Sequence, residues 1–241
     1  MRYGIFADVH SNLAALNAVL EAFSQEAIDR YVGLGDIVGY ACQPQECIDR
    51  VRSLNPVLIA GNHDWACAGR LGLDSFTPLA GAGLIWTIEH LSEPDKQFLN
   101  SLPLVVKEDS FVLVHSTLDE PQEFYYLNSQ SEAEATFALM DKNLCFVGHT
   151  HIPGVFTQTP DHLEYSHNAA FSISPSQKYI VNAGSVGQPR DGNPLASFCI
   201  FDSATNTVEI KRVAYDIPGT QQKIIAAGLP GFLAERLSVG R

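Results

Sequence analysis

Five short apolar runs in this chain stop abruptly at residues of metal-binding type: "ADVH" at 7–10, "GLGD" at 33–36, "AGNHD" at 60–64, "VLVHS" at 112–116 and "VGHTH" at 147–151. A buried strand excludes carboxylates and imidazoles unless they are partnered. Each run must therefore leave its sheet where the polar residue begins. Helical periods separate the first three. Leu13, Leu16, Leu20, Phe23 and Ala27 share one face behind a Ser11 or Asn12 cap, and Cys47, Ile48, Val51 and Leu54 share another behind Pro44. Strand alternating with helix marks an α/β sheet, and such sheets bind ligands beyond the carboxyl ends of their strands. The five ends can thus meet in one place.

The first strands are expected at Tyr3–Ala7, Tyr31–Leu34 and Val57–Ala60, with later ones at Phe111–Val114 and Leu144–Val147. Residues 66–101 carry helical stretches with Leu84, Ile85, Ile88 and Leu91 on one face, and residues 131–142 a further helix. Beyond residue 152 short strands follow without helices, at Gly154–Thr157, Leu163–Ser166, Lys178–Asn182, Ser197–Phe201 and Thr207–Val213. A helical tail, about 216–241, is interrupted at Gly228-Leu229-Pro230. One domain over 1–241 is expected, two packed sheets with helices outside, elaborated at 66–101 and in the tail, whose apolar faces (Ile224 and Ile225 among them) must bury against the sheets or a second copy of the chain.

Composition narrows the chemistry. Formal charge is −12, from 27 acids and 15 bases, with no Lys/Arg cluster to follow a nucleic-acid backbone, so long nucleic acids are not expected partners. The five cysteines are odd in number and lack a Cys-x-x-Cys pair, which argues against a disulfide framework or a thiolate zinc site. No apolar run reaches the roughly 18 residues of a membrane helix, and the start runs straight into a strand pattern rather than a leader. The expectation is a cytoplasmic protein. An acidic chain that handles an anionic substrate needs local positive charge, which bound metal supplies.

Eight oxygen and nitrogen donors stand at the five strand ends: Asp8, His10, Asp36, Asn62, His63, His115, His149 and His151. They exceed one ion's needs and suit two. A carboxylate such as Asp36 can bridge cations roughly 3.5–4 Å apart, the arrangement that clamps an in-line displacement at phosphorus. Ligands of N and O alone admit Mn, Fe, Co, Ni or Zn, with Mn or Fe favoured by the carboxylates and the amide.

The ordered set D-x-H, G-D, G-N-H-D, H and G-H-x-H resembles the calcineurin-like metallophosphoesterase superfamily, most of all its small bacterial phosphoesterase branch, and "VNAGSVGQPRDGNP" at 181–194 extends the likeness. The resemblance implies an α/β/β/α sandwich and a metal-dependent phosphoric ester hydrolase acting on small phosphodiesters or phosphomonoesters, nucleotides included. By position, it implies that Asp8, His10 and His151 hold one divalent or mixed-valence ion and Asn62, His115 and His149 the other, with Asp36 between them. A hydroxide between the ions would attack phosphorus, and His63 would act on the phosphoryl group without ligating.

The second motif departs from the protein phosphatases of the superfamily, which carry G-D-x-V-D-R-G. Here "GDIVGYA" at 35–41 puts Gly39 and Tyr40 where the second Asp and the Arg would stand, which disfavours a phosphoprotein substrate. Arg190 could supply the phosphate fork instead, or simply pair with Asp191. Asp64 could orient His63 or cap the following segment. His90, His162 and His167 read as solvated, and Trp65 and Trp86 as packing residues. Two rival functions remain open, a non-catalytic protein-interaction scaffold like the retromer subunit of this fold, which lacks the histidine at the His63 position, and a nuclease of short oligonucleotides.

Overall fold

A computed structural model of the chain describes residues 1–241. In chain order it holds β1 (Arg2–Phe6), α1 (Leu13–Ser24), β2 (Arg30–Gly33), α2 (Pro44–Arg52), β3 (Val57–Leu58) and α3 (Asn62–Cys67). Next come α4 (Pro78–His90), α5 (Glu93–Ser101), β4 (Val105–Lys107), β5 (Val112–Val114), α6 (Gln130–Leu139) and β6 (Leu144–Val147). The remainder is β7 (Gly154–Gln158), β8 (Leu163–Ser166), β9 (Ala170–Ser172), β10 (Lys178–Asn182), β11 (Ala196–Asp202) and β12 (Thr207–Val213), closed by α7 (Ile217–Ala226) and α8 (Gly231–Glu235).

The strands form two six-stranded sheets, ordered β3-β2-β1-β11-β12-β9 and β4-β5-β6-β10-β7-β8. Pairings β3-β2-β1 and β5-β6-β10 are parallel and the rest antiparallel. Alternation along each strand explains the packing. Tyr3, Ile5 and Ala7 point between the sheets, where they meet Phe111, Phe146 and Phe201, while Phe6 turns out toward the helices with Leu16 and Phe23. On the second sheet Leu144 and Phe146 face inward, and Cys145 and Val147 pack on Phe137 of α6. Strands covered on both faces must be apolar throughout, which is why a polar residue can appear only where they end. The result is the four-layer α/β/β/α sandwich.

Asn12 caps α1, its side chain accepting from the Ala15 N–H at 3.1 Å. The helix stops at Ser24, so Ala27 lies beyond the expected face, in a turn with φ 48°. Two further expectations need correction. Leu84 and Ile224 are buried, but Ile85 and Ile225 are 50% and 62% exposed, because neighbouring helical residues point about 100° apart and one layer covers only one of them. The tail packs on α4 and the Tyr40 turn, where Ile224, Leu229, Leu233 and Leu237 meet Ala80 and Tyr40, rather than on the sheets.

Candidate metal centre

All five donor-bearing turns leave β1, β2, β3, β5 and β6 at their carboxyl ends, and the structure brings them together. One set, Asp8, His10, Asp36 and His151, has its ligand atoms mutually within 4.8 Å; a second, Asp36, His115 and His149, does so too. Asp36 belongs to both. Its Oδ2 lies 3.6 Å from His10 Nε2 and 3.4 Å from His115 Nε2. Asn62 borders the same cavity, with Oδ1 buried and unpartnered. Asp8, Asp36 and the four histidines are almost wholly buried.

The hydrogen-bond partners settle which ring nitrogen is free. His10 Nδ1 lies 3.1 Å from Val38 O, His115 Nδ1 2.6 Å from Leu34 O and His151 Nδ1 2.6 Å from Gln188 O. A carbonyl only accepts, so each Nδ1 carries the proton and each Nε2 is turned into the cluster, as a metal-ligating histidine requires. The Nε2 atoms of His115 and His149 are buried with no hydrogen-bond partner, and those of His10 and His151 face each other at 3.0 Å. Imidazole Nε2 atoms converging with two carboxyl groups could hold a metal ion, once Asp8 and His115 give up their protons. The donor set fits metal.

Backbone geometry supports the same reading. Asp8, His10, Asp36, His149 and His151 all have φ between 50° and 67°, the left-handed region that costs a non-glycine residue about 1 kcal/mol or more. The surrounding contacts hold them there. Asn182 donates to Gly148 O and Thr150 Oγ1, Ser185 donates to Asp8 O, and the Asp8 carboxylate accepts from His149 N–H. Gly61 is required because a Cβ would lie 2.1 Å from Asp36 Oδ1.

Burial and the nearby charges divide the titrating groups. Burial, aided by Asp36, pushes Asp8 up to about 8 against the pull of His115. Burial would raise Asp36 too, but His115, His63 and His10 outweigh it and hold that carboxyl well below its usual range. Burial lowers His149 to about 3 and His63 to about 4, and lowers His10 and His151 as well. At His115 burial also lowers, yet Asp36 and Asp8 raise the ring to about 9.

His63 sits against the cluster, its ring 4.7 Å from that of His10 and 4.5 Å from that of Tyr40. Asp64 does not orient it, for His63 Nδ1 has no partner. Both Asp64 oxygens are spent on backbone N–H groups of Gly61, Asp36, Ile37 and Val38, and the side chain is 0% exposed. It therefore staples the β2 and β3 turns from beneath, out of a substrate's reach. Arg190 enters the cavity from the loop after β10 and does not pair with Asp191, whose carboxylate is taken by Arg212.

The cavity over the cluster has a volume of about 250 Å3. Its lining also includes Phe76, Thr77, Ala80, Gln122, Phe124 and Tyr126. Tyr126 stacks on the His149 ring at 4.2 Å. These wall residues and Asn182 carry no spacing signal of their own. Only the "VNAGSVGQPRDGNP" stretch pointed toward Asn182.

Comparison with known proteins agrees. Residues 1–206 match the calcineurin-like phosphoesterase superfamily domain, and the chain belongs to that superfamily. It is 39% identical over 241 residues to the uncharacterized protein MJ0912 of Methanocaldococcus jannaschii, covering 98% of this chain and 97% of that one. Among solved structures, a metallophosphoesterase from Sphaerobacter thermophilus superposes with a TM-score of 0.88 at 40% identity, over 100% of this chain and 99% of that one. The hypothetical protein PH1004 from Pyrococcus horikoshii OT3 superposes with a TM-score of 0.82 at 23% identity, over 100% and 98%, a likeness of fold.

Proposed function

We propose that the chain is a metal-dependent phosphoric ester hydrolase of small phosphodiesters or phosphomonoesters, nucleotides included. The observation that carries the reading is Asp36 standing in both donor sets. Asp8, His10 and His151 would hold one ion, Asn62, His115 and His149 a second, and Asp36 both. Mn or Fe suits the carboxylates and the amide, and Zn, Ni or Co the imidazoles. Metal at these positions supplies charge that neutralises the phosphoryl group and makes water acidic enough to react near neutral pH.

The chain's own residues supply the rest. His63, neutral because burial lowers it to about 4 in spite of Asp36, offers one N–H to a phosphoryl oxygen. A bound dianion would raise that pKa and let the same ring protonate the leaving oxygen. Arg190 borders the cavity as a guanidinium without a carboxylate partner, placed to grip non-bridging oxygens. A cavity of about 250 Å3 suits a small phosphoester group.

The test is a screen of the metal-reconstituted protein against phosphodiesters, phosphomonoesters, dinucleotide polyphosphates and a folded phosphoprotein. Turnover of small esters, with kcat/KM above that on the phosphoprotein, is the expected result. No turnover of any ester by the loaded protein would end the proposal.

A further inference from the structure

Tyr40 stands at a peculiar point of the second turn. Gly39 before it has φ 95°, and a Cβ there would lie 2.3 Å from His63 Nδ1, so only glycine lets the His63 ring rest on the turn. Tyr40 itself has φ 56°, a strained setting for an aromatic residue, and its ring packs against those of both His10 and His63, at 4.6 and 4.5 Å. Its hydroxyl accepts from Arg190 Nη2 at 3.1 Å, and Gln188 Oε1 takes the same nitrogen at 2.9 Å. The guanidinium carbon lies 5.6 Å from the Tyr40 ring centroid.

Arg190 is otherwise unspent. Its Nε is buried with no partner. A second guanidinium, Arg236 of the C-terminal tail, lies 5.9 Å from the same ring. Burial, and after it the charge of Arg190, lowers Arg236 to about 10, which places two cations at one aromatic residue beside the cavity. In a chain of net charge −12, an arginine held by a phenol and an amide rather than a carboxylate keeps its full charge for an anion.

We infer that Tyr40 is a positioning residue, whose hydroxyl and ring hold the Arg190 guanidinium over the donor cluster as the phosphoryl-binding fork. The inference rests on the phosphoesterase reading and adds to it the residue that aims the fork. A phenol can serve here because the task is geometric. With Gln188 it takes both hydrogens of Nη2, and with Nε buried the two N–H groups of Nη1 are left for phosphoryl oxygens. The turn that carries Asp36 thereby also sets where phosphate sits, though the arginine comes from a loop far along the chain.

The experiment compares wild type with Tyr40→Phe, Arg190→Lys, Arg190→Ala and the Tyr40→Phe/Arg190→Ala double variant, each metal-loaded and checked for equal metal content. Calorimetry with inorganic phosphate is the primary readout, with KM and kcat on a small phosphoester beside it. Tyr40→Phe should weaken phosphate about tenfold, as expected for losing a hydrogen bond to a charged group, and raise KM while kcat changes little. Arg190→Lys, which keeps charge but not the fork, should also weaken phosphate. On the Arg190→Ala background, Tyr40→Phe should have no further effect. Wild-type phosphate affinity in Tyr40→Phe or in Arg190→Lys overturns the inference, as does an equal cost of Tyr40→Phe on both backgrounds. If the loaded wild type neither binds phosphate nor cleaves any ester, the phosphoesterase reading falls and takes this inference with it. If it does both and Tyr40→Phe matches it, only the Tyr40 assignment falls.

Discussion

His10 Nε2 and His151 Nε2 face each other at 3.0 Å, with each Nδ1 hydrogen already given to a backbone carbonyl. Two lone pairs at that distance repel, and a shared cation turns the repulsion into ligation. Metal should therefore stabilise the fold. At a hundredfold excess over Kd a ligand contributes about 2.7 kcal/mol, which for a chain of this length raises Tm by about 5–10 °C. Thermal scans of chelated and manganese-loaded protein measure this. Coincident melting curves would contradict the assignment.

Metal binding should release protons at neutral pH. Burial, with Asp36, holds Asp8 up to about 8, and Asp36 and Asp8 hold His115 up to about 9 against burial, so without metal both groups keep their protons at pH 7. A metal takes the carboxylate and the neutral imidazole. Bound state minus free state thus loses protons, and affinity must rise with pH through this window and fall toward acid. Titration calorimetry at pH 7 in buffers of different ionisation enthalpy reads the release. Heats independent of buffer would contradict it.

His63→Ala should retain metal and lose turnover. His63 touches the cluster without belonging to either donor set, and one donor to developing charge contributes about 10²–10³ in rate. At matched metal content, kcat within a few-fold of wild type would remove His63 from the chemistry.

Asp64→Ala should unfold more easily while leaving KM of the folded enzyme near wild type. The side chain binds four backbone N–H groups with no exposure to the cavity. Stranding them costs about 3 kcal/mol or more. Urea midpoints at constant m-value measure the loss, and wild-type stability would refute the staple.

The donor residues were legible because each follows an apolar run, and a strand buried on both faces allows a polar side chain only past its end. Asp8, Asp36, His115 and His149 all obey that rule. Tyr40 was not legible as a site residue. Its hydrogen bond joins positions 150 residues apart, and no local pattern marks such a contact. Asp64 admits two roles from sequence, since the N–H donors its carboxylate accepts from lie mainly on a different turn, 26–28 residues earlier. β4 and β9 carry no sequence signal of this kind, because, unlike the comparably short β3 and β5, neither runs into a donor residue that marks its end. Ile85 and Ile225 misled because apolar character sets what can be buried, while the neighbouring layer decides what is.

The most direct test of the account is metal stoichiometry. Asp36 appears in both donor sets, so two ions per chain should be held in the loaded wild type, and Asp36→Asn should weaken both, because an amide bridges poorly. Elemental analysis after removal of free metal gives the number. Two equivalents in wild type, with loss at both positions in Asp36→Asn, is the predicted result; one equivalent or fewer in wild type would contradict the shared carboxylate on which the mechanism stands.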